Sequence, residues 1–143
     1  MKTPMRFIVI DDDPINIMLS RMIIGNAAGK FEIQTFEIPE TGFEYIQNEY
    51  AESVNKIPAV VLLDLNMPSW SGWEFLENFD KLDDKIKRQV KIYLLSSSID
   101  KRDMDQAKAN ANVVEYISKP LTPKIVSKII AGVTKEVSKL LLQ

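Results

Sequence analysis

The 143-residue sequence contains no cysteine and no histidine. Without cysteine, disulfides, thiolate zinc sites and thiol nucleophiles are excluded. Without histidine, the commonest general base is missing and no phosphohistidine can form on this chain. No apolar run approaches the roughly 20 residues that span a bilayer, and the first residues lack the successive regions of a secretory signal. Neither charge sign dominates: 18 Lys and Arg stand against 20 Asp and Glu, a formal net charge of -2. There is thus no overall basic footprint for nucleic acid or an acidic membrane. Repeats, low-complexity tracts and Gly/Ser linkers are also missing. What is present is 45% hydrophobic and 27% charged residues, the balance of a folded globular chain. Its length suits one domain, and a cytoplasmic protein is the default expectation.

Short apolar runs alternate with longer, partly polar segments. The runs are Phe7–Ile10, Ile33–Phe36, Val60–Leu63, Ile92–Leu95 and Val113–Ile117. Near-continuous apolar strands predict a parallel sheet covered on both faces. Helices are predicted over roughly 14–28, 39–53, 70–83, 100–109 and 122–141. Asp13-Pro14 and Thr122-Pro123 read as helix starts, and Ile38-Pro39 as a weaker one. In the last segment Ile125, Ile129, Val133, Val137 and Leu140 recur at helical spacing, with lysines between them. Five βα units in a row predict a doubly wound α/β fold with right-handed crossovers.

In such a fold, ligands collect beyond the carboxyl ends of the strands. The first strand ends in Asp11 and Asp12, the third in Asp64, and the fourth in Ser96, Ser97 and Ser98. Lys119 and Pro120 follow the fifth. Carboxylates that converge on one edge cannot all stay ionised without a counter-charge. A hard divalent cation answers that need, and Mg²⁺ commonly takes one or two carboxylates plus phosphate and water. With neither His nor Cys present, only an oxygen-ligand metal suits the set. A carboxylate is also a competent nucleophile toward phosphorus, forming an aspartyl phosphate.

The acidic pair in "IVIDDD", the segment "LLDLNMPSWSGWEFL", the hydroxyl ending the fourth strand and "YISKPLTP" occur in order at βα spacing. Together they resemble the receiver domain of two-component response regulators, of the stand-alone, chemotaxis-regulator-like kind. The resemblance runs from about Arg6 to the last helix. It implies a flavodoxin-like receiver fold: a five-stranded parallel sheet of order 2-1-3-4-5 with five helices. It implies Asp64 as phospho-acceptor, with Mg²⁺ held by Asp12, Asp11, Asp64 and the backbone carbonyl of Asn66. Lys119 would pair with Asp64 and then with its phosphoryl group, across a cis Lys119–Pro120 bond. Ser96 best matches the switch hydroxyl, with Ser97 an alternative, and Tyr116 matches the aromatic whose rotamer follows it. The phosphoryl donor would be a sensor histidine kinase or histidine phosphotransfer protein. The signal would pass by protein contact or onward phosphotransfer, with residues 1–143 forming a single receiver domain and no output domain.

Two departures from the family pattern bear on this. The stretch from Ser96 to Lys119 is slightly long, and "NANVV" stands where a Gly-Ala pair usually precedes the fifth strand. Ordinary roles also compete: Asp13 as the cap of the first helix, Ser98 or Asp100 as the cap of the fourth, and Trp73 as core. Trp70 either lines the site or covers its loop. Two other functions share parts of the pattern. An aspartyl-phosphate phosphatase of the haloacid dehalogenase type needs two aspartates spaced D-x-D, which Asp11 and Asp13 formally meet. A binding module could use the same fold without phosphorylation.

Overall fold

The computed structural model describes residues 5–27, 31–52 and 57–141, with side chains up to residue 135. Five strands, β1 (Arg6–Ile10), β2 (Glu32–Phe36), β3 (Ala59–Leu63), β4 (Val90–Ser96) and β5 (Val113–Ser118), form one sheet of order β2-β1-β3-β4-β5. Every pairing is parallel. Among the described residues, six helices cover it: α1 (Pro14–Gly25), α2 (Pro39–Tyr50), α3 (Gly72–Asp80), α4 (Asp84–Lys87), α5 (Lys101–Ala109) and α6 (Pro123–Leu141).

The strand sequences explain the layering. Successive side chains of a strand point to opposite faces, so the unbroken apolar runs of β1 and β3 feed two cores. Phe7, Val9, Val60 and Leu62 pack with Ile17 and Ile24 of α1 and Val126, Ile129 and Val133 of α6. Ile8, Ile10, Val61 and Leu63 pack with Ile46 of α2 and Phe75 and Phe79 of α3. Each such side chain contributes roughly 1.5–3 kcal/mol when fully buried. Both faces of β1 and β3 are therefore closed to ligands. Their carboxyl ends are the place where polar residues can stand.

The structure adds a helix and trims others. The short α4 falls after the third expected helix, where Asp83 caps it by accepting from the Lys85 amide at 2.9 Å and Ile86 is buried. Helix α3 starts at Gly72 rather than residue 70 because Ser71 and Glu74 form a reciprocal capping box. Asp100 caps α5, and the Thr122 hydroxyl accepts from the Ile125 amide at 3.2 Å. The expected far ends of the first two helices, residues 28 and 53, lie outside the described residues, as do the side chains of Val137 and Leu140.

The long Ser96–Lys119 stretch is taken up in the sheet. Ile92 pairs with Val113 but Tyr93 pairs with Glu115, so Val114 is an extra residue. The register then carries Ser96 opposite Ser118, and the Lys119 amide donates to the Ser96 carbonyl at 2.9 Å. Before β5 the turn is made by Asn110, whose side chain accepts from the Asn112 amide at 2.9 Å. An Asx turn thus stands where the family usually has Gly-Ala.

Candidate functional site

Strands β1 and β3 are neighbours, so their last residues deliver Asp11 and Asp64 side by side. The Asp64 amide donates to the Ile10 carbonyl at 3.0 Å, which locks that juxtaposition. Carboxylate oxygens of Asp11, Asp12 and Asp64 lie within 4.8 Å of one another. Asp11 and Asp64 are buried, while Asp12 is accessible. Asp13, the third of the run, has another task. Its carboxylate accepts from the Ile15 amide at 2.9 Å as the cap of α1, with Pro14 in the first turn. The D-x-D pair that a dehalogenase-type phosphatase needs is thereby divided between a cluster and a cap.

Lys119 enters from the β5–α6 connection, and its peptide bond to Pro120 is cis. Its ammonium donates to Asp11 Oδ2 at 2.8 Å and lies 3.6 Å from Asp64 Oδ1. The shorter contact is to Asp11, whereas the resemblance pairs this lysine with Asp64. The geometry is that of one cation shared by two buried carboxylates. Burial pushes the Asp64 carboxyl above the usual carboxylate range and the charge of Asp11 adds to this, against the pull of Lys119 and the Asn66 amide. For Lys119, burial alone would lower the ammonium. The hydrogen bond to Asp11 and the charges of Asp64 and Asp11 outweigh it, so the net shift is upward.

The loop leaving Asp64 is closed at its base. Gly72 donates its amide to the Leu65 carbonyl at 2.8 Å, and a Cβ at Gly72 would lie 2.6 Å from the Asp64 carbonyl. Only glycine fits there. Within the loop, the Asn66 amide reaches Asp64 Oδ1 at 3.5 Å.

A family model described as "Response regulator receiver domain" matches residues 7–131. The chain belongs to that family. Solved structures similar to this receiver domain include a two-component response regulator from Cytophaga hutchinsonii, 29% identical, with a TM-score of 0.72 over 92% of this chain and 99% of the other. A response regulator receiver protein from Dyadobacter fermentans is 23% identical, with a TM-score of 0.76 over 88% and 94% of the two chains. The Mn²⁺-bound form of response regulator Rcp1 is also 23% identical, with a TM-score of 0.68 over 91% of each. No curated protein matches this receiver domain in sequence.

Of the residues expected at the site, the structure of this receiver domain brings together Asp11, Asp12, Asp64 and Lys119. Asn66 joins them through its amide, 3.5 Å from Asp64 Oδ1, and the remaining residues are held by other contacts. Ser96 is fully buried at the end of β4, and its hydroxyl accepts from the Ser98 amide at 3.1 Å. Ser97 is exposed and lines a groove with Lys119, Leu19 and Ile23. Tyr116 is half-buried, and its hydroxyl donates to the Ser98 carbonyl at 2.6 Å. It is tied to the β4–α5 loop rather than to the carboxylates. Trp70 covers the loop after Asp64 by packing edge-on against Phe43, and Trp73 packs against the core. Sequence reasoning missed Glu40 of α2, which accepts from the Ser69 hydroxyl at 2.7 Å. No motif links two residues that stand 29 apart in the chain.

The donor set suits a hard cation. An octahedral Mg²⁺ has ligands at about 2.1 Å, which separates opposite oxygens by about 4.2 Å. Three carboxylate oxygens within 4.8 Å are near that spacing, and a single ammonium leaves their charge only partly balanced.

Proposed function

We propose that this receiver domain accepts a phosphoryl group on Asp64 from the phosphohistidine of a sensor histidine kinase or histidine phosphotransfer protein. The observation that carries the reading is a buried carboxylate, Asp64, flanked by an ammonium 3.6 Å away and by two further carboxylates. An Asp64 oxygen attacks phosphorus in line. The P–N bond to the donor's imidazole breaks, and its electron pair stays on the ring nitrogen. Asp11, Asp12, Asp64 and the Asn66 carbonyl would hold Mg²⁺, which supplies positive charge to the transferring phosphoryl oxygens. Lys119 holds Asp11 and Asp64 at once, so it needs little movement to follow charge onto a phosphoryl oxygen. The neighbour bound to Mn²⁺ is consistent with an oxygen-ligand divalent site.

These 143 residues contain no histidine, so a phosphohistidine donor lies outside them. Helix α1 begins directly after the Asp11–Asp13 run. It turns Ile15, Met18, Leu19 and Met22 to solvent at i, i+3, i+4 and i+7, each between 44% and 62% exposed. An apolar row beside the acceptor suits a helix of the donor protein. The response to phosphorylation runs through β4. Ser96 and Lys119 drawn toward the phosphoryl group would shift the β4–α5 loop, to which Tyr116 is bonded, and so bias α5, β5 and α6.

The test is intact-mass measurement after incubation with MgCl₂ and a small phosphodonor. One phosphate adduct is expected on the natural chain and none on Asp64→Ala. An adduct that survives Asp64→Ala would overturn the assignment.

A further inference from the structure

We propose that Glu40 and Ser69 form a latch that positions the loop after Asp64 and thereby sets the affinity of the carboxylate cluster for its cation. This deepens the metal part of the functional reading above and rests on it. The loop between β3 and α3 is held at its base by Gly72, which places no constraint on the loop's outer half. That half is fastened to α2 instead. The Ser69 hydroxyl donates to Glu40 Oε1 at 2.7 Å, the usual length of an O–H···O hydrogen bond. One residue on, Trp70 packs edge-to-face on Phe43 with ring centroids 5.4 Å apart, and Phe43 does the same with Phe75 at 5.7 Å.

Glu40 and Phe43 are three apart in α2 and so share a helix face. Two adjacent loop residues thus grip two neighbouring positions of one rigid element. Leu65 and Met67 are buried below them, which leaves Asn66 exposed between fixed points. The proposed metal ligand on this loop is the Asn66 carbonyl, a main-chain atom whose position depends on the loop path and not on a rotamer. A loop held in one path presents that carbonyl without an ordering cost at binding. Glu40 stands in the first turn of α2, where a carboxylate also suits the helix N-terminus. Ile38 caps that helix without a side-chain bond, so the Ser69 contact is the tie between this helix start and the loop.

The test is calorimetric titration of the full chain with MgCl₂, alongside unfolding midpoints in metal-free buffer. Ser69→Ala and Glu40→Ala are each expected to weaken Mg²⁺ roughly three- to tenfold, the equivalent of losing one hydrogen bond of ordinary net strength. The double variant should be no weaker than either single one, because both remove the same bond. Glu40→Gln keeps an acceptor for the Ser69 hydroxyl and should stay within about twofold of the natural chain. Both residues are accessible at the surface, and unchanged midpoints would show that the variants remain folded. Equal losses in Glu40→Gln and Glu40→Ala would make Glu40 a distant charge and overturn the latch. So would natural affinity in Ser69→Ala, or multiplied losses in the double variant. If the natural chain itself bound no Mg²⁺, the functional reading would fail and the latch with it. Natural binding with unaffected variants would sink the latch alone.

Discussion

At the scale of single residues, three consecutive aspartates do different work because one lies at a strand end, one beyond it and one at a helix start. Asp11 accepts from Lys119 and from the Asp13 amide at 2.9 Å, so it is already engaged inside the protein. Asp12 is accessible, and Asp13 caps α1. Asp12→Asn is therefore expected to raise the Kd for Mg²⁺ by about tenfold or more, since a hard cation prefers a charged oxygen. Asp13→Asn should change it less than about twofold, because asparagine caps as well as aspartate. Titration of both variants by calorimetry checks the contrast. At the opposite end of the sheet, Tyr50 is fully buried, donates to the Ile57 carbonyl at 2.6 Å and accepts from Arg6. Burial pushes its phenol up to about 12, against the pull of Arg6. The folded state thus holds this proton more tightly than the unfolded chain. Its contribution is complete below about pH 10 and is lost as pH rises through about 12, amounting to roughly 2–3 kcal/mol. Urea unfolding across that range should show the fall. In Tyr50→Phe the alkaline loss should shrink, at a neutral-pH cost of about 1 kcal/mol.

At the scale of elements, α1 combines two faces with different tasks. Ile17 and Ile24 enter the core, while Ile15, Met18, Leu19 and Met22 remain in solvent. If a donor protein seats on that outer row, Met18→Glu should slow phosphotransfer from a phosphohistidine protein about tenfold, as for loss of a central apolar contact. Phosphorylation by a small phosphodonor should be unaffected, since Met18 is not among the residues that hold the phosphoryl group. Equal loss with both donors would show damage to the site and not to docking. The element boundaries themselves follow from caps. Asp13, Ser71 and Asp100 each accept from an amide in the first turn of the helix they start.

At the scale of the whole molecule, the acidic cluster is a local cost carried by the fold. Burial and the neighbouring Asp11 charge both disfavour ionised Asp64, and Lys119 relieves only part of this. A divalent cation that binds the folded state alone stabilises it by mass action. At a concentration about a hundredfold above Kd the gain is about 2.7 kcal/mol, which for a chain of this size raises Tm by roughly 8 °C. Thermal unfolding with and without MgCl₂ should show this rise, and Asp12→Asn should lose about half of it or more at the same MgCl₂ concentration.

The apolar runs, the Pro-led helix starts and the order of the acidic, hydroxyl and lysine motifs determined the fold class and the residues Asp11, Asp12, Asp64 and Lys119. Those features are local, or tied to strand ends, and a parallel βα topology brings strand ends together whatever the loops do. The capping box at Ser71 and Glu74 carries a local signal, a serine followed three positions later by a glutamate, but the expected helix start at residue 70 did not use it. Other features arise only from distance in space. That Lys119 sits closer to Asp11 than to Asp64 depends on how the β5–α6 connection enters the site. The extra residue at Val114 depends on the register between β4 and β5, which a composition shared by both strands leaves open. The contact between Glu40 and Ser69 joins a helix start to a loop tip, and neither residue type signals it. Sequence determines which elements form and which chemistry stands at their ends; packing of those elements decides which oxygens and which ammonium meet.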